Sequence, residues 1–328
     1  MKASYVTIAA IVLSLIILVI ITSVTGVNPA VLLSIAPVIL LAAIGTVVVR
    51  LMLMALRFNF IINSFSDRKY PFFESLAVRL GSEFVALTSL AYVGGEVARA
   101  AWMVKNGEVS GRALWLPYIE IVFDVYAGNG IALIAGLYAL QQGELFLGGV
   151  VLAVSLVILS FVTGVVILSH KGMIRMPTFL SRPLRWVVGE IRAQSLMEKG
   201  NVFLSEFCVA ANNTFTRRNG LKLLIVGIYT FFTVLLTGAT LWLVSLGFGL
   251  HLSFLDCAPT VYASIVLGNL PITLGGSGVA EAGVYFYSSY VFGVSSWPMV
   301  FAWRIISYHF VLIVTGACAF FILRRYTK

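Results

Sequence analysis

Arg79, Glu83, Glu96, Arg99, Glu120, Asp124, Glu281 and Arg304 fall where the surrounding sequence is apolar. In hydrocarbon each such group costs roughly 2.5–3.5 kcal/mol, so each needs a partner or a task. Several flank glycine-rich stretches. One runs Gly94-Gly95-Glu96-Val97-Ala98-Arg99, the other Pro271-Ile272-Thr273-Leu274-Gly275-Gly276-Ser277-Gly278-Val279-Ala280-Glu281. A half-helix opening at Gly95 or Ser277 would present unpaired backbone N–H groups and the positive end of its dipole. Glycine permits a sharp reversal and the close approach of a phosphate, and Arg99 or Arg304 would complete the cradle. The candidate phosphate ligands are therefore Gly94, Gly95, Arg99, Gly275, Gly276, Ser277, Gly278 and Arg304.

The acids Glu96, Glu120, Asp124 and Glu281 are candidates for coupling or for ion pairing. Glu120 and Asp124 are four apart and share one helix face. Glu96 precedes Glu120 by 24 residues and Glu281 precedes Arg304 by 23. The two halves thus offer acids and an arginine at matching places, able to face each other across one cavity. The bland alternative is that Glu96–Arg99 and Glu281–Arg304 are structural ion pairs. Arg79–Glu83, at i,i+4, reads as structural, and Arg50 reads as snorkelling from its span. No catalytic motif emerges, so enzymatic activity is not expected. Cys208, Cys257 and Cys318, like His170, His251 and His309, are dispersed, which argues against a disulfide framework, a metal site or any cofactor.

The elements that must position these groups are membrane helices. Hydrophobic residues make up 60% of the 328, charged residues 11%, and mean hydropathy is +1.01. Soluble chains carry roughly 25% charged residues. Uninterrupted apolar runs at residues 5–24, 30–56, 114–140, 145–169, 221–249 and about 298–323 each reach the ~20 residues a crossing needs. The first run is too long for a signal peptide and reads as a retained helix. Residues 76–104 and 258–292 are broken by the glycine stretches into arms too short to cross, and read as re-entrant hairpins.

Net charge of +9 reports orientation rather than nucleic-acid binding. With six spans and two hairpins returning to their own side, every Lys/Arg-rich segment falls on one face, which is cytoplasmic together with both termini. The hairpins then enter from opposite sides. The fold class expected is an all-α integral membrane protein of six transmembrane helices plus two oppositely oriented re-entrant hairpins in an inverted repeat. Residues 1–328 form one domain, with a first repeat at 1–140, a basic amphipathic cytoplasmic linker at 170–220 and a second repeat at 221–328. Such repeats carry alternating access around a midplane site.

Gly94-Gly95-Glu96-x-x-Arg99, Glu120-x-x-x-Asp124, Gly275-Gly276-x-Gly278-Val279-x-Glu281 and Arg304 resemble the membrane domain of lysylphosphatidylglycerol synthases, which also occurs alone in flippase-like proteins. Here Ser277 stands where the family usually has Leu, and Pro271 is displaced from the glycines. The resemblance implies lipid handling without lysyl transfer. It points to a flippase in the cytoplasmic membrane that binds a phospholipid or polyprenyl-phosphate-linked lipid between the two tips. The alternative it leaves open is a lipid-modifying enzyme, or the non-catalytic partner of a glycosyltransferase in envelope glycolipid synthesis.

Overall fold

The computed structural model describes residues 26–89, 94–270, 273 and 276–326, with scattered positions before residue 26. Among these the chain is helical, without strands. The expected span at residues 5–24 lies almost wholly outside the described residues.

Five helices are long and apolar enough to cross a membrane. Four of the five expected spans within the described region agree closely: α4 (Ser110–Gln141), α5 (Leu145–His170), α8 (Gly220–Gly247), and the last run, as α11 (Trp297–Arg304), a π-helical turn (Ile305–His309) and α12 (Phe310–Tyr326). Their outer faces carry the large apolar side chains that lipid requires, such as Phe146, Phe161, Leu221 and Ile313.

The fifth is displaced from the 30–56 expectation. A 3-10 turn (Pro29–Ser34) precedes α1, which runs from Pro37 to Phe65. Proline pushes its predecessor towards extended backbone, and Ala36 has ψ 131°. At the other end Arg57 does not stop the helix, because its charge is met inside the protein. That two-turn extension changes which residues count as buried.

Helix α1 packs antiparallel along α8. Thr46 hydrogen-bonds Thr240 at 2.9 Å, Arg50 donates to Thr237 at 3.5 Å, and Arg57 to Thr230 at 2.7 Å. Lys222 closes one end by donating to Ser64 O, and Gly247 lies against Ile35 at the other.

Two helical hairpins leave this pair. The first is α2 (Phe72–Leu87) and α3 (Gly94–Lys105), of 16 and 12 residues. The second is α9 (Phe254–Gly268) and α10 (Val279–Phe292), of 15 and 14. At 1.5 Å per residue these arms reach only about 18–24 Å, short of a ~30 Å hydrocarbon core. The first hairpin is rooted at the C-terminal end of α1 and the second at the C-terminal end of α8. Because α1 and α8 are antiparallel, these are opposite ends of the pair.

Small residues bring the arms together. A Cβ on Gly95 would meet Ser82 O at 2.9 Å, and one on Gly283 would meet Ser264 Cα at 2.9 Å. Ser264 Oγ also donates to Ala280 O at 2.6 Å. Leu87 of the first hairpin and Val284 of the second share one apolar core with Val300, Trp303 and Tyr308.

The basic stretch at 170–220 holds a short helix, α6 (Ser181–Val188), and a long one, α7 (Glu190–Thr214). Trp186 and Val187 of α6 are exposed. The C-terminal half of α7 is core rather than linker. Phe207 and Ala211 are buried against α4, and Glu206 accepts from the Gly111 amide at 3.0 Å.

Candidate functional site

The intramembrane charges form two groups. The larger is centred on Glu120, in the middle of α4, which is buried. Its carboxylate meets three arginines from three other helices. Arg57 Nε donates to Oε1 at 3.1 Å, Arg99 Nη1 donates to Oε2, and Arg79 Nε lies 3.4 Å from Oε2. One carboxylate cannot neutralise three guanidinium groups, and each arginine has a second acid. Arg57 grips Asp124 with two bonds, at 2.5 and 2.7 Å. Arg79 pairs with Glu83 at 2.7 Å, and Arg99 with Glu96 at 2.8 Å. The Arg99 guanidinium also lies 5.5 Å from the Phe58 ring centre.

Burial forces this arrangement. Arg57 is completely buried and Arg79 and Arg99 nearly so. A buried charge without a partner is costly, whereas a bidentate arginine–carboxylate pair meets both charge and donor geometry. Asp124 is the open member, with 45% of its side chain exposed.

The second group is smaller. Arg304 Nε contacts Glu281 Oε1 at 2.9 Å and Arg304 Nη2 donates to Ser277 Oγ at 3.3 Å. The arginine lies 3.9 Å over the Tyr308 ring. Positive φ at Gly276 (63°) and Gly278 (87°) turns the chain into α10, a conformation that favours glycine. Glu281 Oε2 then accepts from the Gly278 amide at 2.8 Å, so one carboxylate caps its own helix and holds the arginine. Arg304 sits where the last span switches to a π-helical turn. Such turns recur at functional sites because they re-aim side chains without ending the helix. Tyr308, on the same turn, donates its hydroxyl to Leu87 O at 3.0 Å, at the end of the first hairpin's first arm.

The sequence candidates sort as follows. Arg99 is near Glu96 and Glu120, and Asp124 joins them through Arg57. Ser277, Gly278, Glu281 and Arg304 form the second group, with Gly276 in its turn. Gly275 lies outside the described residues. The expected confrontation of Glu120 and Asp124 with Arg304 is not what the contacts give, since the acids are held by Arg57, Arg79 and Arg99. The helix openings also differ from the expectation at Gly95 and Ser277, lying at Gly94 and Val279 instead. The Gly94 amide donates to Ser89 Oγ at 3.0 Å and the Gly278 amide to Glu281, so neither is open to a ligand.

Sequence reasoning missed Arg57 as a site residue and took Arg79 as an isolated pair. Arg57 falls one residue beyond the expected 30–56 span; its place seven residues from Arg50, on the same helix face, was the available signal. Three cavities lie away from both charge groups. One of about 620 Å³ is lined by Val27, Ser34 and Trp297, another of about 470 Å³ by His170, Arg175 and Asn201, and a third of about 170 Å³ by Ser64, Arg112 and Lys222. Among the described residues no group of three His, Cys, Asp or Glu could hold a metal ion.

Apolar crossing helices, two hairpins and buried ion pairs define the class as a multi-pass, all-helical membrane protein. The chain belongs to the lysylphosphatidylglycerol synthase TM region family, whose pattern matches residues 7–315 and confirms the resemblance read from the glycine and acid motifs. The family is one of membrane proteins in lipid metabolism and transport. No curated protein matches the chain.

Proposed function

We propose that the protein is a lipid transporter of the flippase class, without enzymatic activity, resident in the cytoplasmic membrane with both termini inside. The two hairpins are read as re-entrant and inverted, which their short arms and their roots at opposite ends of the α1–α8 pair support. Its ligand is a phosphate-bearing lipid, either a phospholipid or a polyprenyl-phosphate-linked one.

The observation that carries this reading is the second tip. Gly276–Gly278 forms a tight turn beside buried Ser277, which faces the guanidinium of buried Arg304. At 3.3 Å the Ser277–Arg304 contact is long for a charge-assisted bond. A phosphate oxygen accepting from both would give shorter bonds to each. Tyr308 ties this tip to the first hairpin, so a headgroup bound here would bias how the two hairpins pack. The Glu96–Arg99–Glu120 network is read as the rigid wall of the site.

The test is translocation of fluorescent phosphatidylglycerol in proteoliposomes, followed by reduction of the label exposed in the outer leaflet. Arg304→Ala and Glu281→Ala should both abolish translocation while the proteins still elute as folded species. Unchanged translocation in both variants would overturn the assignment.

A further inference from the structure

Arg50 has no acid. Helix α1 extends to Phe65, so Arg50 lies about 20 Å from either helix end rather than close to an interface to which it could snorkel. All 13 Asp and Glu residues lie among the described residues, and none is within ion-pair distance of Arg50. Nearby acids are taken: Asp124 by Arg57, Glu83 by Arg79, and Glu120 by three arginines. Guanidinium carries five N–H donors. Those of Arg50 make one hydrogen bond among the described residues, at 3.5 Å to Thr237, and its buried Nε makes none. With Arg50 included, the cluster's four arginines match Glu83, Glu96, Glu120 and Asp124 in charge. What is missing around Arg50 is therefore an acceptor in contact rather than bulk neutrality.

Its surroundings are a polar stripe. Thr46–Thr240, Arg50–Thr237 and Arg57–Thr230 follow one another along the α1–α8 seam, and Lys222–Ser64 closes it. From Thr46 to Ser64 the stripe is about 27 Å long, close to the thickness of the hydrocarbon core. Tyr262 of α9 faces Thr237 and lies within electrostatic reach of Arg50, Arg57 and Asp124. Asp124, the half-open acid, marks where the stripe reaches the protein surface. An intramembrane cation with unsatisfied donors, on a polar track of that length, is a functional group in search of an anion.

We propose that Arg50 is the mid-membrane station for a phosphate-bearing anion, which accepts from its free donors beside Thr237 and passes along the α1–α8 seam. The lipid character of this anion rests on the function proposed above; the binding of an anion at Arg50 does not. A phosphodiester headgroup and free inorganic phosphate share the required chemistry.

The experiment uses the full-length protein, purified in detergent and stripped of lipid, and reads the shift of Tm on adding phosphatidylglycerol, inorganic phosphate or diacylglycerol. The variants are Arg50→Leu, Arg50→Lys and Arg304→Gln. Phosphatidylglycerol, but not diacylglycerol, should raise the Tm of the unmodified protein. Arg50→Leu should need at least tenfold more lipid for the same shift, with partial recovery in Arg50→Lys. Without anion, the Tm of Arg50→Leu should equal or exceed that of the unmodified protein, because a half-buried intramembrane cation with no acid in contact has been removed. A clear drop in that Tm would make Arg50 a structural residue and overturn the proposal. So would an undiminished lipid response in Arg50→Leu, and if Arg304→Gln then lost the response the tip site would stand alone. Stabilisation by inorganic phosphate and not by the lipid, lost in Arg50→Leu, would keep the anion site and overturn its lipid character. No response to either phosphate source would overturn both readings.

Discussion

The two hairpins use one backbone solution and two ways of being fastened. Each folds two short arms together through a small-residue contact, Gly95 on Ser82 in the first and Gly283 on Ser264 in the second. The first is then bolted to the helical frame by charge. Arg79 and Arg99, with their own acids Glu83 and Glu96, converge on Glu120, which Arg57 also holds. The second has apolar arms and one strong link, Glu281 to Arg304. In the first hairpin the acids are shared among arginines and little is left to receive a ligand. In the second, one carboxylate serves both the cap and the arginine, leaving the Ser277 hydroxyl against the guanidinium. The contrast makes one hairpin the more firmly fastened, and under the proposed function it leaves ligand chemistry to the other.

The hardest test of this contrast is Glu120→Ala. Removing the hub leaves three buried guanidinium groups short of a partner, and breaking even one buried pair costs about 3–5 kcal/mol. Thermal unfolding of the purified protein should show a larger loss for Glu120→Ala than for Glu281→Ala, which strands one arginine. Equal losses would remove the distinction between the hairpins.

Gly95→Val and Gly283→Val probe what they have in common. Each added side chain drives into the opposite arm, and overpacking of this kind costs about 1–3 kcal/mol. Similar drops in Tm are expected; a neutral result in either hairpin would mean its arms are free to separate.

Tyr308→Phe addresses the bridge between them. It deletes one hydroxyl donor and leaves Leu87 O without its partner, at a cost of about 1 kcal/mol. Translocation should fall by more than this small loss of stability explains if the two tips move together.

The smallest effect is expected at Asp67, an exposed loop acid paired with Arg112. The Arg112 side chain holds its carboxyl below the ordinary carboxylate range. A lowered folded-state pKa means that any contribution is complete above the unfolded value of about 3.9 and fades as pH falls below it. Asp67→Asn should therefore lower Tm only slightly at neutral pH, and less in high salt than in low, because an exposed pair is worth little and is screened. A clear loss would place a third fastening point at the root of the first hairpin.

Much of this fold is legible in the amino-acid order because membrane insertion reads local composition. Predominantly apolar runs at 114–140, 145–169 and 221–249 became helices within a few residues of their expected ends, since a lipid-facing helix depends on length and hydropathy. The helix breaks within 76–104 and 258–292 were visible for the complementary reason. Glycines and acids cut the apolar runs into pieces too short to cross, and the observed arms extend only a few residues beyond those limits. Family membership was legible in the same glycine and acid motifs.

The charge partners were not legible. Arg57 reaches Glu120 and Asp124 over 63 and 67 positions of sequence, and Thr230 over 173. No local spacing encodes such a contact. Reading a span as ending at Leu56 turned Arg57 into a loop cation and Arg50 into a snorkelling one, because an arginine near the end of an apolar run is normally solvated. Only the packing of α1 against α4 and α8 supplies the carboxylates that let Arg57 stay helical and buried. The sequence by itself therefore determined that this is a helical membrane protein, where its helices break and which motifs mark its family. The tertiary structure decided which intramembrane charges neutralise one another and that Arg50, among the described residues, has no acid within ion-pair distance. The physical reason is that hydropathy acts along the chain, whereas an ion pair is made by whatever the fold brings within about 4 Å.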